Sequence, residues 1–139
     1  LLGKIFRATG SIEVPPKEDL PRGKKRTEVL IDSTKRLVDV HPKAVIVSFP
    51  EGGTTGKRNG GGPYDIDSFH TGSYVIAASL GLPILPVAQY FDPKDGFELR
   101  IFEPLRLKSN PTKDELEHSA DQHCQEELRW LKERVSLNS

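Results

Sequence analysis

The sequence predicts an α/β domain in which a mixed β-sheet is flanked by helices, and three stretches predict it. Residues 44–56, AVIVSFPEGGTTG, begin as a continuous apolar run and end in Pro50, a single carboxylate and a glycine-rich turn. A short β-branched run bounded by proline and glycine reads as a buried strand. Residues 27–40 carry Leu30, Ile31, Thr34, Leu37 and Val38 on one helical face, which reads as an amphipathic helix lying on the sheet. Residues 83–90 read as a second buried strand and residues 97–102 as a third, alternating Phe97, Leu99 and Ile101 against Glu98, Arg100 and Phe102. Asp92-Pro93-Lys94-Asp95-Gly96 is turn chemistry that joins those two as a hairpin.

The other elements follow in chain order. Residues 1–8 read as a helical lead-in and residues 11–14 as a short strand that Pro15-Pro16 ends. Residues 17–26 are polar and broken by Pro21 and Gly23. Their Arg22, Lys24, Lys25 and Arg26 form a cationic cluster that reads first as a solvated loop and second as a contact for anionic lipid headgroups. Residues 57–62, KRNGGG, are too glycine-rich to be regular. Residues 70–80 read as a helix terminated by Gly81. The last helix spans residues 112–135: Thr112 and Glu115 have capping-box spacing, and Leu116, Leu128, Leu131 and Val135 make a broken apolar stripe. Between residues 113 and 134 there are seven acids and four bases, so its exposed face is anionic, and Trp130 reads as a packing residue.

Composition bounds the function. At 139 residues the chain is one domain's worth, and its 35% hydrophobic and 29% charged content is ordinary for a globular segment. The formal net charge is zero, so no whole-chain field favours nucleic acid or a membrane. A single cysteine, Cys124, excludes an internal disulfide framework. No apolar run approaches the roughly 18 residues of a membrane span, and no signal peptide is visible. The chain opens on Leu1 inside an apolar segment, which leads us to expect a piece of a longer, N-terminally truncated domain.

The end of the first predicted strand is the candidate site. It delivers Glu51, Gly52, Gly53, Thr54 and Thr55 to a sheet rim, where open α/β sheets usually place ligands. Two glycines let backbone approach a bound group closely, and two hydroxyls can donate hydrogen bonds. The plainer alternative is a surface turn after a core strand.

Several blocks around this loop occur in a familiar order. Phe49-Pro50-Glu51-Gly52 is followed by Phe69-His70-Thr71-Gly72, then by the helical residues 73–78, then by Leu82-Pro83-Ile84-Leu85-Pro86-Val87-Ala88. Upstream, residues 2–10, LGKIFRATG, look like the segment leading into a G-x-I-F-I-x-R block. Over roughly residues 1–90 this resembles the phospholipid/glycerol acyltransferase family, which includes the 1-acylglycerol-3-phosphate acyltransferases. The resemblance implies a glycerolipid acyltransferase-like fold and transfer of a fatty acyl group from acyl-CoA, as co-substrate, to a hydroxyl of a glycerolipid. It implies no metal and no redox cofactor, and partners limited to acyl-CoA, the lipid acceptor and a membrane surface, without nucleic acid. The expected location is the cytoplasmic face of the endoplasmic reticulum or another lipid-synthesising membrane.

Two departures from the family pattern shape the expected chemistry. The family uses a histidine as general base on the acceptor hydroxyl, oriented by an aspartate in an H-x-x-x-x-D motif. Five positions after His41, His70, His118 and His123 stand Ile46, Val75, His123 and Leu128, so the motif is absent and no catalytic residue is assigned. His70 is the nearest surrogate to the loop, while His41, His118 and His123 read as structural or exposed. The second departure concerns phosphate. The arginine expected after Gly10 is replaced by Pro15-Pro16, and Gly53-Thr54 stand where E-G-T-R members carry threonine and arginine. This favours a lysophospholipid or another lipid alcohol as acceptor, with Arg22, Lys57 and Arg58 as possible phosphate or CoA contacts.

Two rival readings belong to other classes. Aligning Gly56-Lys57 with the G-K of a nucleotide-binding P-loop puts Glu51 at its first glycine and Arg58 at its Ser/Thr, so phosphates would be repelled and magnesium would lack its hydroxyl. A degenerate domain that binds lipid or scaffolds without catalysing is the other.

Overall fold

The computed structural model describes residue 12, residues 17–51, residue 62 and residues 64–137. The described residues form a small α/β fold with three α-helices and a two-stranded antiparallel sheet. The chain divides into two compact units, Leu1–Val47 and Ser48–Ser139. The lead-in helix and strand expected before residue 17 lie outside the described residues, apart from residue 12.

The first unit holds a short 3-10 turn, Lys17–Asp19, and helix α1, Arg26–Val40. Helix α1 starts where the periodicity places it. The Lys25 N–H donates to the Glu28 carboxylate at 2.9 Å, satisfying one of the backbone donors that a helix N-terminus exposes. Thr34 is its one fully buried residue, and Lys24–Asp32 and Lys35–Asp39 ion pairs cover the wet face. These exposed pairs add little stability.

The strand expected at residues 44–49 is not formed. The backbone there joins no ladder, and Val45 and Phe49 are 86% and 82% exposed. An apolar run becomes a buried strand only beside a partner that takes its N–H and C=O groups. Among the described residues no strand supplies that partner, and the boundary between the two units falls inside the run, after Val47.

In the second unit helix α2 spans Gly72–Leu80. It ends on Gly81, whose φ of 63° is a left-handed conformation that glycine adopts without a Cβ penalty. The Leu82 and Gly81 N–H groups then close on the Ala77 and Ala78 carbonyls at 2.9 and 3.3 Å. Strands β1, Val87–Asp92, and β2, Gly96–Ile101, form the expected hairpin in the register Val87↔Ile101 to Asp92↔Gly96. Asp92 Oδ1 accepts from the Lys94 and Asp95 N–H groups at 2.7 and 3.3 Å, and Gly96 turns the chain with φ 85°. Among the described residues the sheet is thus an antiparallel pair, where a mixed sheet was expected. The prolines at 83 and 86 have no N–H to give to a ladder, and upstream of β1 the pairing shrinks to one bridge, Ile84↔Leu105.

Helix α3, Lys113–Leu137, organises this unit. Its capping box is reciprocal: the Thr112 N–H donates to the Glu115 carboxylate at 2.7 Å, and the Glu115 N–H donates to Thr112 Oγ1 at 3.3 Å. Leu116, Ala120 and Cys124 bury against Phe69 and Tyr74. One and a half turns further on, Trp130 and Leu131 bury against Ala88 and Tyr90 of β1. Ile66 packs on both clusters. Arg134 adds an ion pair to Glu98 of β2 at 3.0 Å and lies over the Trp130 ring at 5.6 Å.

The hairpin meets α3 through its Ala88–Tyr90 face, which leaves the more apolar face uncovered among the described residues. Phe97 and Leu99 are 69% and 61% exposed there. Ala88 explains the choice of face, since a small side chain at the contact lets the helix approach the sheet closely. Leu128 is only half-buried and Val135 is exposed, so the apolar stripe predicted for this helix is completed by Ala120, Cys124 and Trp130 instead.

Because Trp130 joins helix to hairpin, Trp130→Ala should lower the unfolding free energy of the second unit by about 3–5 kcal/mol in a urea titration. A loss under about 1 kcal/mol would mean that the helix–hairpin contact does not hold the unit together.

Candidate functional site

Of the predicted rim, Glu51 is described and half-buried, and it belongs to the second unit. Gly52, Gly53, Thr54, Thr55, Lys57 and Arg58 lie outside the described residues. Arg22 is an exposed turn residue of the first unit. The two motif blocks at 49–52 and 69–72 do meet: the His70 N–H donates to the Pro50 carbonyl at 2.8 Å. That bond fixes the backbone beside Glu51 to the start of α2.

The His70 side chain is exposed and contributes only its backbone to this junction. His41 and His118 are exposed as well. His123 is the histidine that goes inside. It lies on α3 within the span of the first cluster, between Ala120 and Cys124, its ring edge-on to Phe69 with centroids 5.0 Å apart. The hydroxyl of Tyr74, itself 1% exposed, lies 2.5 Å from His123 Nδ1. One turn further along α3, Glu127 Oε2 lies 3.7 Å from His123 Nε2, and the two side chains are only 10% and 13% exposed.

The protonation of this set follows from its surroundings. Burial, with Cys124 and Glu127 adding to it, pushes the Tyr74 phenol well above its ordinary value, so the phenol keeps its proton. Burial lowers the His123 pKa, with Glu126 opposing, so the ring is neutral near pH 7. Burial, reinforced by the charge of Glu51, raises the Glu127 carboxyl to about 7. Burial, followed by Glu127, Asp121, Glu51 and Asp67, pushes the Cys124 thiol up to about 11, which excludes it as a thiolate nucleophile. A tyrosine that keeps its proton donates to Nδ1, and the hydrogen-bond pattern therefore assigns the ring proton to Nε2, the nitrogen that faces Glu127.

A carboxyl that titrates near neutrality beside a neutral histidine is suited to exchanging protons or holding a polar ligand. Glu51 is near enough for its charge to act on it. The charge of Glu51, a predicted residue, thus acts on a set made of Tyr74 and Glu127, which the sequence reading did not single out, and His123, which it read as structural or exposed. A signal for two of them was present. Residues 116, 120, 123, 124, 127 and 131 lie on one helical face, so His123 and Glu127 sit i, i+4 inside the apolar stripe and not on the acidic face.

Among the described residues no three or more His, Cys, Asp or Glu gather as a metal site, and no helix is long and apolar enough to cross a membrane. Compared with known proteins, the chain matches no family model, no curated protein and no solved structure.

The raised Glu127 pKa makes stability depend on pH with a definite sign. The folded state holds this proton more tightly than the unfolded chain, so the stability it contributes is present below pH 4.5 and is lost as pH rises through about 7. His123 acts oppositely, its contribution being lost as pH falls below 6.5. Glu127→Gln should therefore gain on the parent as pH rises, by on the order of 2 kcal/mol after solvent screening. Urea unfolding of both chains at a series of pH values between 4.5 and 8 checks this; a pH-independent difference would contradict it.

Proposed function

We propose that this chain is a domain of an acyl-CoA-dependent acyltransferase of the phospholipid/glycerol acyltransferase kind, acting on a hydroxyl of a lysophospholipid or related glycerolipid at a membrane surface. The observation that carries the reading is the order of the Phe49–Gly52, Phe69–Gly72 and Leu82–Ala88 blocks along the chain. The bond from the His70 N–H to the Pro50 carbonyl supports it, because it makes neighbours of two blocks separated by sixteen residues in sequence.

In the reaction the acceptor's hydroxyl oxygen attacks the thioester carbonyl. The C–O bond forms, the C–S bond breaks, and the hydroxyl proton passes through a general base to the departing CoA thiolate. Backbone N–H groups and hydroxyls of a glycine-rich rim suit the negative charge that develops on the carbonyl oxygen. Glu51 orders that rim and helps to position the acceptor. Gly53 and Thr54, in place of threonine and a phosphate-binding arginine, favour an acceptor without a bare phosphomonoester, while Arg22, Lys57 and Arg58 are the cations available to phosphate or CoA. The general base belongs to an H-x-x-x-x-D pair, which these 139 residues do not contain. The endoplasmic reticulum surface or another lipid-synthesising membrane is the setting this chemistry fits.

Release of CoA thiol from a long-chain acyl-CoA, with lysophosphatidylcholine as acceptor, tests the reading. The isolated chain should show none above background, since losing a general base typically costs about two to four orders of magnitude. A protein carrying both this domain and an H-x-x-x-x-D segment should turn over, and Glu51→Gln should cut its kcat/KM by about tenfold or more with an unchanged thermal midpoint. Unfolding of that variant, with activity per folded molecule preserved, would reduce Glu51 to a structural turn residue. Absence of transfer in the two-part protein would overturn the function.

A further inference from the structure

His123 uses one ring nitrogen and leaves the other unmatched. Nδ1 takes the Tyr74 hydroxyl, whereas Nε2 is fully buried and meets no hydrogen-bond partner among the described residues. Glu127 Oε2 is 3.7 Å away, too far for a hydrogen bond. Buried polar groups are paired in the great majority of cases, so an orphan of this kind calls for a partner. A single oxygen can lie within hydrogen-bonding distance of both atoms across such a gap.

The chemistry of the two atoms selects that oxygen. Nε2 carries the ring proton and donates. The Glu127 carboxyl, raised to about 7, accepts in its ionised form. One oxygen that accepts from the first and donates to the second is that of a water or of an alcohol hydroxyl. An ammonium group has no lone pair to offer Nε2–H, and a carboxylate or phosphate would be repelled by Glu127 and by Glu51, whose charge already reaches this point.

We propose that His123 Nε2 and the Glu127 carboxyl form a binding site for the hydroxyl of an alcohol ligand, within reach of the charge of Glu51. Tyr74 is its positioning residue, since its bond to Nδ1 keeps the proton on Nε2. Identifying that hydroxyl with the free hydroxyl of a glycerolipid acceptor rests on the acyl-transfer reading; the hydroxyl site itself does not.

The test uses the 139-residue chain with histidine labelled by nitrogen-15 in the ring. Glycerophosphocholine is titrated in parallel with propylphosphocholine, which has the same headgroup and no hydroxyl. The His123 Nε2 resonance should move saturably with glycerophosphocholine and at least about tenfold more weakly with propylphosphocholine. Glu127→Gln should weaken the response by about tenfold, and Tyr74→Phe should shift the two ring-nitrogen resonances toward a mixture of tautomers before any ligand is added. Equal responses to the two probes, or a His123 signal indifferent to both, would overturn the site and leave a water-bridged packing network. The comparison of probes is made on the unaltered chain, so it stands even if a variant fails to fold. A hydroxyl-dependent response without acyl transfer in the two-part protein overturns the function alone. Acyl transfer unaffected by Glu127→Gln, with no hydroxyl-dependent response, overturns this site alone.

Discussion

The second unit depends on one constraint: helix α3 has a single buried face, and two separate partners pack on it. Leu116, Ala120 and Cys124 hold the α2 side through Phe69 and Tyr74, and Trp130 and Leu131 hold the hairpin through Ala88 and Tyr90. Small side chains recur at the contacts, because Ala88, Ala120 and Cys124 let backbones approach where a leucine would separate them. His123 sits within the first contact, beside Cys124, and Glu127 lies in the stretch between the two. Their burial follows from the helix's being clamped at both ends.

Polar groups placed there impose their own chemistry on the packing. A buried tyrosine hydroxyl needs a partner, and Tyr74 finds one in His123 Nδ1. That bond links α2 to α3 by something directional, where the apolar contacts fix only proximity. It also sets the imidazole's tautomer, and with it the character of the nitrogen facing Glu127. The bond from the His70 N–H to the Pro50 carbonyl ties the start of the same α2 to the backbone beside Glu51. Helix α2 thereby holds the backbone beside Glu51 at its N-terminal end and the buried pair through Tyr74. The functional proposal and the hydroxyl site both draw on this short helix.

Much of the fold was legible because local signals and tertiary context agree. The capping box at Thr112 and Glu115, the left-handed Gly81 and the Asp92–Gly96 turn each act over a few residues, and the structure keeps them. Where the reading failed, a distant partner decided. Residues 44–49 have the composition of a core strand, but a strand also requires a neighbour to pair with. On β2, alternation correctly separates Phe97, Leu99 and Ile101 from Glu98 and Arg100, yet period two cannot say which face another element will cover. Ala88 on the paired strand decided it. Glu51 was singled out by its motif, while His123 and Glu127 were hidden by residue type, since polar residues on an acidic helix are read as solvent-facing unless their positions are set against the apolar stripe.

The joint between Tyr74 and His123 is the most direct place to measure all this. A double-mutant cycle of Tyr74→Phe and His123→Gln, with unfolding free energies from urea titration near pH 7, isolates their mutual interaction from their separate packing. A coupling of about 1 kcal/mol or more, appropriate to a buried hydrogen bond whose partner is left unsatisfied, is the expected result. Additive effects within about 0.3 kcal/mol would contradict it, and α2 and α3 would then be held by apolar contact alone.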